Sequence, residues 1–292
     1  MHGKKALALA ACGWLATLGC AAEAFSGSSA LEFTRKLVAF GARPSGSPAL
    51  RKAQDYILAQ LKTRGCEVLR DEFTAQTPLG PVRMMNIIAR FKGASGRGVV
   101  ISGHYETKKL PGVNFVGAND GGASAGFLLE LARVLAGSKH NDDVYLVWFD
   151  GEESFGQWSN TDGIYGSRHL AERWTDDGTV RRIKALINVD MIGDKDLGIL
   201  KEMNSSPGLQ RLVWQTAAQL GLGRFFLNLG GAVEDDHMPF VRRGVQAVNL
   251  IDFDYGPDNA WWHTERDTMD KLSAESFQVV GTVLLEVLRK LE

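Results

Sequence analysis

Residues 144–153 read Val144-Tyr145-Leu146-Val147-Trp148-Phe149-Asp150-Gly151-Glu152-Glu153. Six apolar or aromatic side chains in a row, with no polar alternation, suit a strand covered on both faces. The run then stops on three acids and a glycine. Working outward, Val99-Val100-Ile101 is a further short apolar run, and the stretches 84–91, 99–102, 185–189 and 247–251 read as strands. Helical patterns lie between them. One opens at Ser47-Pro48, an N-cap followed by proline in the first turn. It places Leu50, Ala53, Ile57 and Leu61 on one face and stops at Gly65. Others cover 121–136, 205–220 and 273–291. Strands alternating with helices predict an α/β fold with a mostly parallel central sheet and helices on both faces. Nothing between 25 and 292 reads as a linker, so 25–292 is expected to be a single domain.

The segment 1–24 stands apart. Lys4 and Lys5 precede an apolar run from Ala6 to Leu18, and Ala22-Glu23-Ala24 offers a small-residue cleavage site. This is the pattern of a secretory signal peptide. The run is too short to span a bilayer, so no transmembrane span is expected. A second reading takes Leu18-Gly19-Cys20 as a lipoprotein cleavage site. The mature protein is therefore expected to be secreted or periplasmic, free or tethered by lipid on Cys20. Cys12 and Cys20 fall within this leader, which leaves Cys66 alone and no internal disulfide. Cys66 is expected to serve as a small buried apolar residue. With 45% apolar and 23% charged residues the chain can bury a full core, which excludes disorder. A net charge of -1 with no basic stripe excludes a nucleic-acid partner. No heptad or exposed apolar stripe argues for a dimer, so a monomer is expected.

The polar residues converge. His104 follows the strand at 99–102; Asp150, Glu152 and Glu153 follow 144–149; Asp190 follows 185–189. Open α/β sheets build their sites at these carboxyl ends. Gly117-Ala118-Asn119-Asp120-Gly121-Gly122 lets backbone approach closely, with Asp120 either a functional acid or a helix cap. Glu152 and Glu153 make sense if one binds a cation and the other moves protons; otherwise they form a solvated turn. Asp235-Asp236-His237 is a second acidic turn before a helix at 237–243. Trp261-Trp262-His263 sets a histidine among aromatics. One histidine with two carboxylates is a known zinc set that leaves a fourth position open. Zinc there would act as a Lewis acid on a carbonyl, with the neighbouring glutamate as general acid and base.

From Phe149-Asp150-Gly151-Glu152-Glu153-Ser154-Phe155 the chain continues to Trp158-Ser159, Asp162 and Tyr165-Gly166-Ser167-Arg168-His169-Leu170-Ala171. This stretch resembles the animal-type glutaminyl-peptide cyclotransferases. Gly103-His104-Tyr105, Phe115-Val116-Gly117-Ala118, Asp190-Met191-Ile192-Gly193, Asp235-Asp236-His237-Met238-Pro239-Phe240 and Trp262-His263-Thr264 extend the likeness in order. The Glu-Glu pair alone points only to the wider zinc aminopeptidase superfamily; Trp158 with the run from Tyr165 is more specific. The resemblance implies a zinc-aminopeptidase-like three-layer sandwich and one Zn2+ per chain held by Asp120, Glu153 and His263. It implies Glu152 as the proton shuttle, with Asp190 and Asp235 bonding the substrate amine and the shuttle. Trp158 and Trp262 would be pocket walls, with His104 and Asn249 beside them at the substrate. The implied substrates are peptides or proteins with N-terminal glutamine, converted to pyroglutamate by an acyltransferase reaction that releases ammonia.

Three departures from that family stand out. Asn249 occupies the place of an active-site histidine. The family's disulfide positions correspond to Gly103 and about Ala125, so that bridge is absent. The segment 252–261 is longer and carries Asp252, Asp254 and Asp258, which are expected at the mouth, where they would favour cationic peptides. Two other readings use the same residues. A two-zinc aminopeptidase would bind a first metal with His104, Asp120 and Asp190. A non-catalytic binding module would lose ligands or shuttle, and here all are intact.

Overall fold

The computed structural model describes residues 24–292. The leader reading, with Cys12 and Cys20, falls outside the described residues. In chain order the elements are α1 (Gly27–Val38), α2 (Pro48–Leu61), β1 (Glu67–Thr77), β2 (Gly80–Phe91), β3 (Gly98–His104), α3 (Gly122–Leu135), β4 (Asp143–Phe149), α4 (Tyr165–Asp176), β5 (Ile183–Asp190), α5 (Pro207–Gln219), α6 (Met238–Val241), β6 (Ala247–Ile251) and α7 (Ala274–Leu291). The strands stand in the order β1-β2-β4-β3-β5-β6. β4, β3, β5 and β6 are parallel neighbours, and β2 runs antiparallel to both β1 and β4.

Strand pleating explains why the central runs are continuously apolar. Val144, Leu146 and Trp148 enter one core with Val99, Ile101, Ala185 and Ile187. Tyr145, Val147 and Phe149 enter the opposite core with Val100 and Leu186. The first core is closed by α1, α2, α3, α5 and α7, the second chiefly by α4 through Leu170, Ala171 and Trp174. Each face therefore needs apolar residues, as the period of two requires. Ser47 caps α2 by accepting the Leu50 amide, with Pro48 in the first turn. Ser273 caps α7 in the same way through Ser276.

Several elements differ from the sequence reading. β2 begins at Gly80, and β1 and α1 add to the predicted set. β1 mixes charged residues with single buried ones, Asp71 and Ala75, so it carries no apolar run. It exists because it pairs along its whole length with β2 through the tight turn Thr77–Gly80. The helix α4 lies over Tyr165–Asp176, where the sequence showed a motif and no clear period. Cys66 is only half-buried, with Sγ 3.9 Å from the Leu61 carbonyl. At Gly103 an added Cβ would come within 2.6 Å of Ser124 Cβ and of the Val189 carbonyl. Glycine there lets α3 sit directly on β3, where the family that the sequence resembles is expected to carry a bridge.

Candidate active site

The carboxyl ends of β3, β4 and β5 bring His104, Glu152, Glu153 and Asp190 to one edge of the sheet. A cavity of about 540 Å³ opens there. Lys108, Asp120, Glu152, Glu153, Trp158, Asp190, Asp235, Phe253, Trp262 and His263 are among its lining residues. Thus eight of the ten residues to which the resemblance assigns site roles share one pocket. His104 and Asn249 do not reach it; both are buried behind it.

Asp120 does not spend its carboxylate on capping. The N-cap of α3 is Gly121, at φ 79°, with no side-chain cap bond. A Cβ at Gly121 would lie 2.2 Å from the Glu106 carbonyl, so the turn that aims Asp120 at the pocket requires glycine. Asp120 Oδ2 lies 3.3 Å from His263 Nε2 and is buried without a hydrogen-bond partner. His263 Nε2 also lies 2.9 Å from Glu153 Oε1. Lys108 Nζ donates to Glu153 Oε2 at 3.2 Å and to Ser154 Oγ at 2.8 Å. Asp120, Glu153 and His263 offer one ligand atom each, all within 4.8 Å of one another. Burial depresses the His263 imidazole, and the Asp120 and Glu153 carboxylates overcome this, raising it to about 9. Burial raises Asp120 in turn, but His104 and His263 pull it well below the usual carboxylate range.

On the far side of Asp120, His104 Nε2 lies 3.2 Å from both Asp120 Oδ1 and Asp190 Oδ1. Its Nδ1 is 3.6 Å from Glu106 Oε2. His104, Asp120 and Asp190 form a second group with metal-ligand spacing. Glu152 is pushed well above its ordinary value by burial; His104 opposes this, while Glu153, Asp235 and Asp236 add to it. Burial likewise lifts Asp190 to about 7 against the pull of His104. Asn249 Nδ2 donates to Asp235 Oδ2 at 2.7 Å, and Asn188 Nδ2 donates to Asp235 Oδ1 at 3.1 Å. Together these two amides hold the Asp235 carboxylate in place. Neither Asp235 nor Asp236 side-chain-caps α6.

The walls are aromatic. Trp262 stacks on His263 at 3.9 Å between ring centroids, and Phe253 meets Trp262 edge-on at 5.1 Å. Trp158 is 40% exposed at the mouth. Its loop is folded by Asp162, which accepts the Phe155 and Gly156 amides and the Tyr165 hydroxyl at 2.7–2.8 Å. Of the 252–261 segment only Phe253 lines the pocket. Asp252 is buried and accepts the Gly198 amide, while Asp254 and Asp258 are exposed away from the lining. The expected acidic mouth is not formed by these three residues. Asp150, expected with the other acids, is fully buried and takes the Met85 amide and the Ser45 hydroxyl. The sequence reading missed Glu106, Lys108, Asn188 and Asp267. Each bonds a site residue, but none sits in a motif that would mark it. Asp267 alone had a cue, as an acid four residues after His263.

No helix among the described residues is long and apolar enough to cross a membrane. The model of peptidase family M28 matches residues 86–288. The glutaminyl-peptide cyclotransferase of Drosophila melanogaster is 32% identical over 240 residues, 73% of this chain and 67% of that protein. The crystal structure of an Acidobacteriales bacterium glutaminyl cyclase superposes with a TM-score of 0.89, at 40% identity, over 98% of each chain. The Porphyromonas gingivalis glutaminyl cyclase gives a TM-score of 0.85 at 30% identity, over 92% of this chain and 99% of that one. On the extent of these matches the chain belongs to peptidase family M28, among its glutaminyl-peptide cyclotransferases.

Proposed function

We propose that this chain is a zinc-dependent glutaminyl-peptide cyclotransferase, which closes an N-terminal glutamine to pyroglutamate and releases ammonia. The observation that carries this reading is the pocket in which Asp120, Glu153 and His263 converge beside the buried Glu152. One imidazole and two carboxylates fit Zn2+, and Asp120 Oδ2 is a buried acceptor with no hydrogen bond of its own. These three residues would hold one ion. When bound, it supplies Lewis acidity toward the γ-carboxamide of the substrate.

The remaining work falls to the chain's own residues. The pocket holds glutamine so that its α-amine nitrogen faces its own side-chain amide carbon, and proximity supplies much of the rate. A C–N bond forms to the α-nitrogen and the bond to the amide nitrogen breaks. Glu152 takes the proton that the amine loses and returns it to the departing nitrogen, which leaves as ammonia. Its burial among other acids favours a carboxylate that accepts a proton readily. Asp190 and Asp235 line the same cavity and would accept hydrogen bonds from the amine, Asp235 being fixed by Asn188 and Asn249. Trp158, Phe253 and Trp262 keep out bulk water, which would otherwise hydrolyse the amide. In this reading 25–292 is the catalytic domain of an exported monomer, either free or lipid-anchored at Cys20.

Incubation of zinc-loaded protein with a short peptide beginning in Gln tests the proposal. An otherwise intact peptide that loses one ammonia, with activity abolished by chelation, is the expected result. The His104, Asp120 and Asp190 group favours one other reading, the two-zinc aminopeptidase. Release of free glutamine, with two metal ions per chain, would replace the cyclase reading by that one.

A further inference from the structure

We infer that Asp267 is a positioning residue that locks the Asp120 loop to the His263 loop and so sets the affinity of the pocket for its metal. This rests on the zinc reading above and adds to it a residue outside the pocket lining. Three consecutive amides end on residue 267. Asn119 N donates to Asp267 Oδ1 at 2.8 Å, Asp120 N to Oδ2 at 3.1 Å, and Ala118 N to the Asp267 carbonyl at 3.4 Å. The Tyr255 hydroxyl donates to Oδ1 at 2.7 Å. Asp267 is fully buried. It sits four residues after His263, in a turn closed by its own amide on the Thr264 carbonyl at 3.2 Å. One carboxylate thus fixes the backbone of one proposed ligand from the loop that carries another. The opposite side of the same loop is held by the buried Arg43, which donates to the carbonyls of Val116 and Gly117. The Asp120 loop therefore has its carbonyls fixed by Arg43 and its amides by Asp267. Only the second clamp is joined to His263.

Asp267→Asn keeps the shape but sets an NH2 group against either the Asn119 or the Asp120 amide, whichever way it turns. Asp120 should then lose its aim. Partners that orient ligands are worth about 10–100-fold in metal affinity, and at least about 10-fold weaker Zn2+ binding is expected here, read by competition with a chromogenic chelator. Tyr255→Phe removes only the phenol contact, keeps both amide bonds and should leave zinc affinity within about twofold. Melting temperatures of the metal-free proteins separate this from general destabilisation. At fixed free zinc, D267N should lose part of the zinc-induced gain in Tm, whereas Y255F should keep it. If D267N does not fold, Asp267→Glu moves both acceptor oxygens by one methylene and should weaken zinc while keeping a native circular dichroism spectrum. Wild-type zinc affinity in D267N, or in D267E where that stands in, would overturn this inference alone. A wild-type protein that binds no zinc would overturn the metal reading and this inference with it.

Discussion

Asp120 stands between two histidines, and the two sides differ in access. His104 reaches Asp120 Oδ1 at 3.2 Å with its side chain 1% exposed. His263 reaches Asp120 Oδ2 at 3.3 Å with its side chain 19% exposed, and it lines the cavity. Each belongs to a group with metal-ligand spacing. Ligand type alone cannot say which group meets substrate. On the His263 side the trio opens onto a pocket with aromatic walls. On the His104 side the ring is enclosed by Asp190, Asp120 and Glu106. We infer that a histidine open to the cavity serves the chemistry and one enclosed behind it holds the chemistry in place.

Paired substitutions put this contrast at risk most directly. His263→Ala should strip the bound zinc and take turnover to background. His104→Ala should keep one zinc per chain and cost about 10–100-fold through the aim of Asp120. Metal analysis with ammonia release measures both. Equal zinc loss in the two variants would erase the distinction, and two zinc ions falling to one in H104A would reverse it. On the open side, Glu152→Gln should lower kcat by about 10²–10⁴-fold with zinc retained, and unchanged turnover would remove the shuttle role. On the closed side, Asn249→Ala leaves Asp235 Oδ2 without its donor, a loss of about 1–3 kcal/mol, so kcat/KM should fall about 5-fold or more. The smallest effect is expected at the outer loop. With Asp254 and Asp258 both changed to Asn, the ratio of KM for lysine-bearing and glutamate-bearing peptides should move by less than about twofold, since exposed charges are screened. A large, salt-sensitive change would bring the acidic mouth back.

Much of this arrangement was legible in the sequence for a physical reason. A strand buried on both faces must be apolar at nearly every position, so 144–149 announces itself, and in 247–251 only Asn249 interrupts the run. The acids that follow them divide: Glu152 and Glu153 line the pocket, while Asp150 and Asp252 are buried and accept backbone amides. β1 was illegible because its stability lies in its hairpin partner and not in its own side chains. The bond of Asn249 to Asp235 was not readable, because it joins β6 to a loop 14 residues away. Lys108 and Asp267 escaped for the same reason. Their partners, Glu153 and Asp120, lie 45 and 147 residues away in sequence.

His263 holds its backbone at φ 53°, in the left-handed region where side chains larger than glycine are disfavoured by about 1–2 kcal/mol. Glycine or asparagine would rest there more easily. If folding alone were selected, this position would drift away from histidine. Redesign for thermostability meets the same trap: a search for relaxed backbone would nominate position 263 early, and accepting the change would trade the proposed ligand for a more comfortable turn.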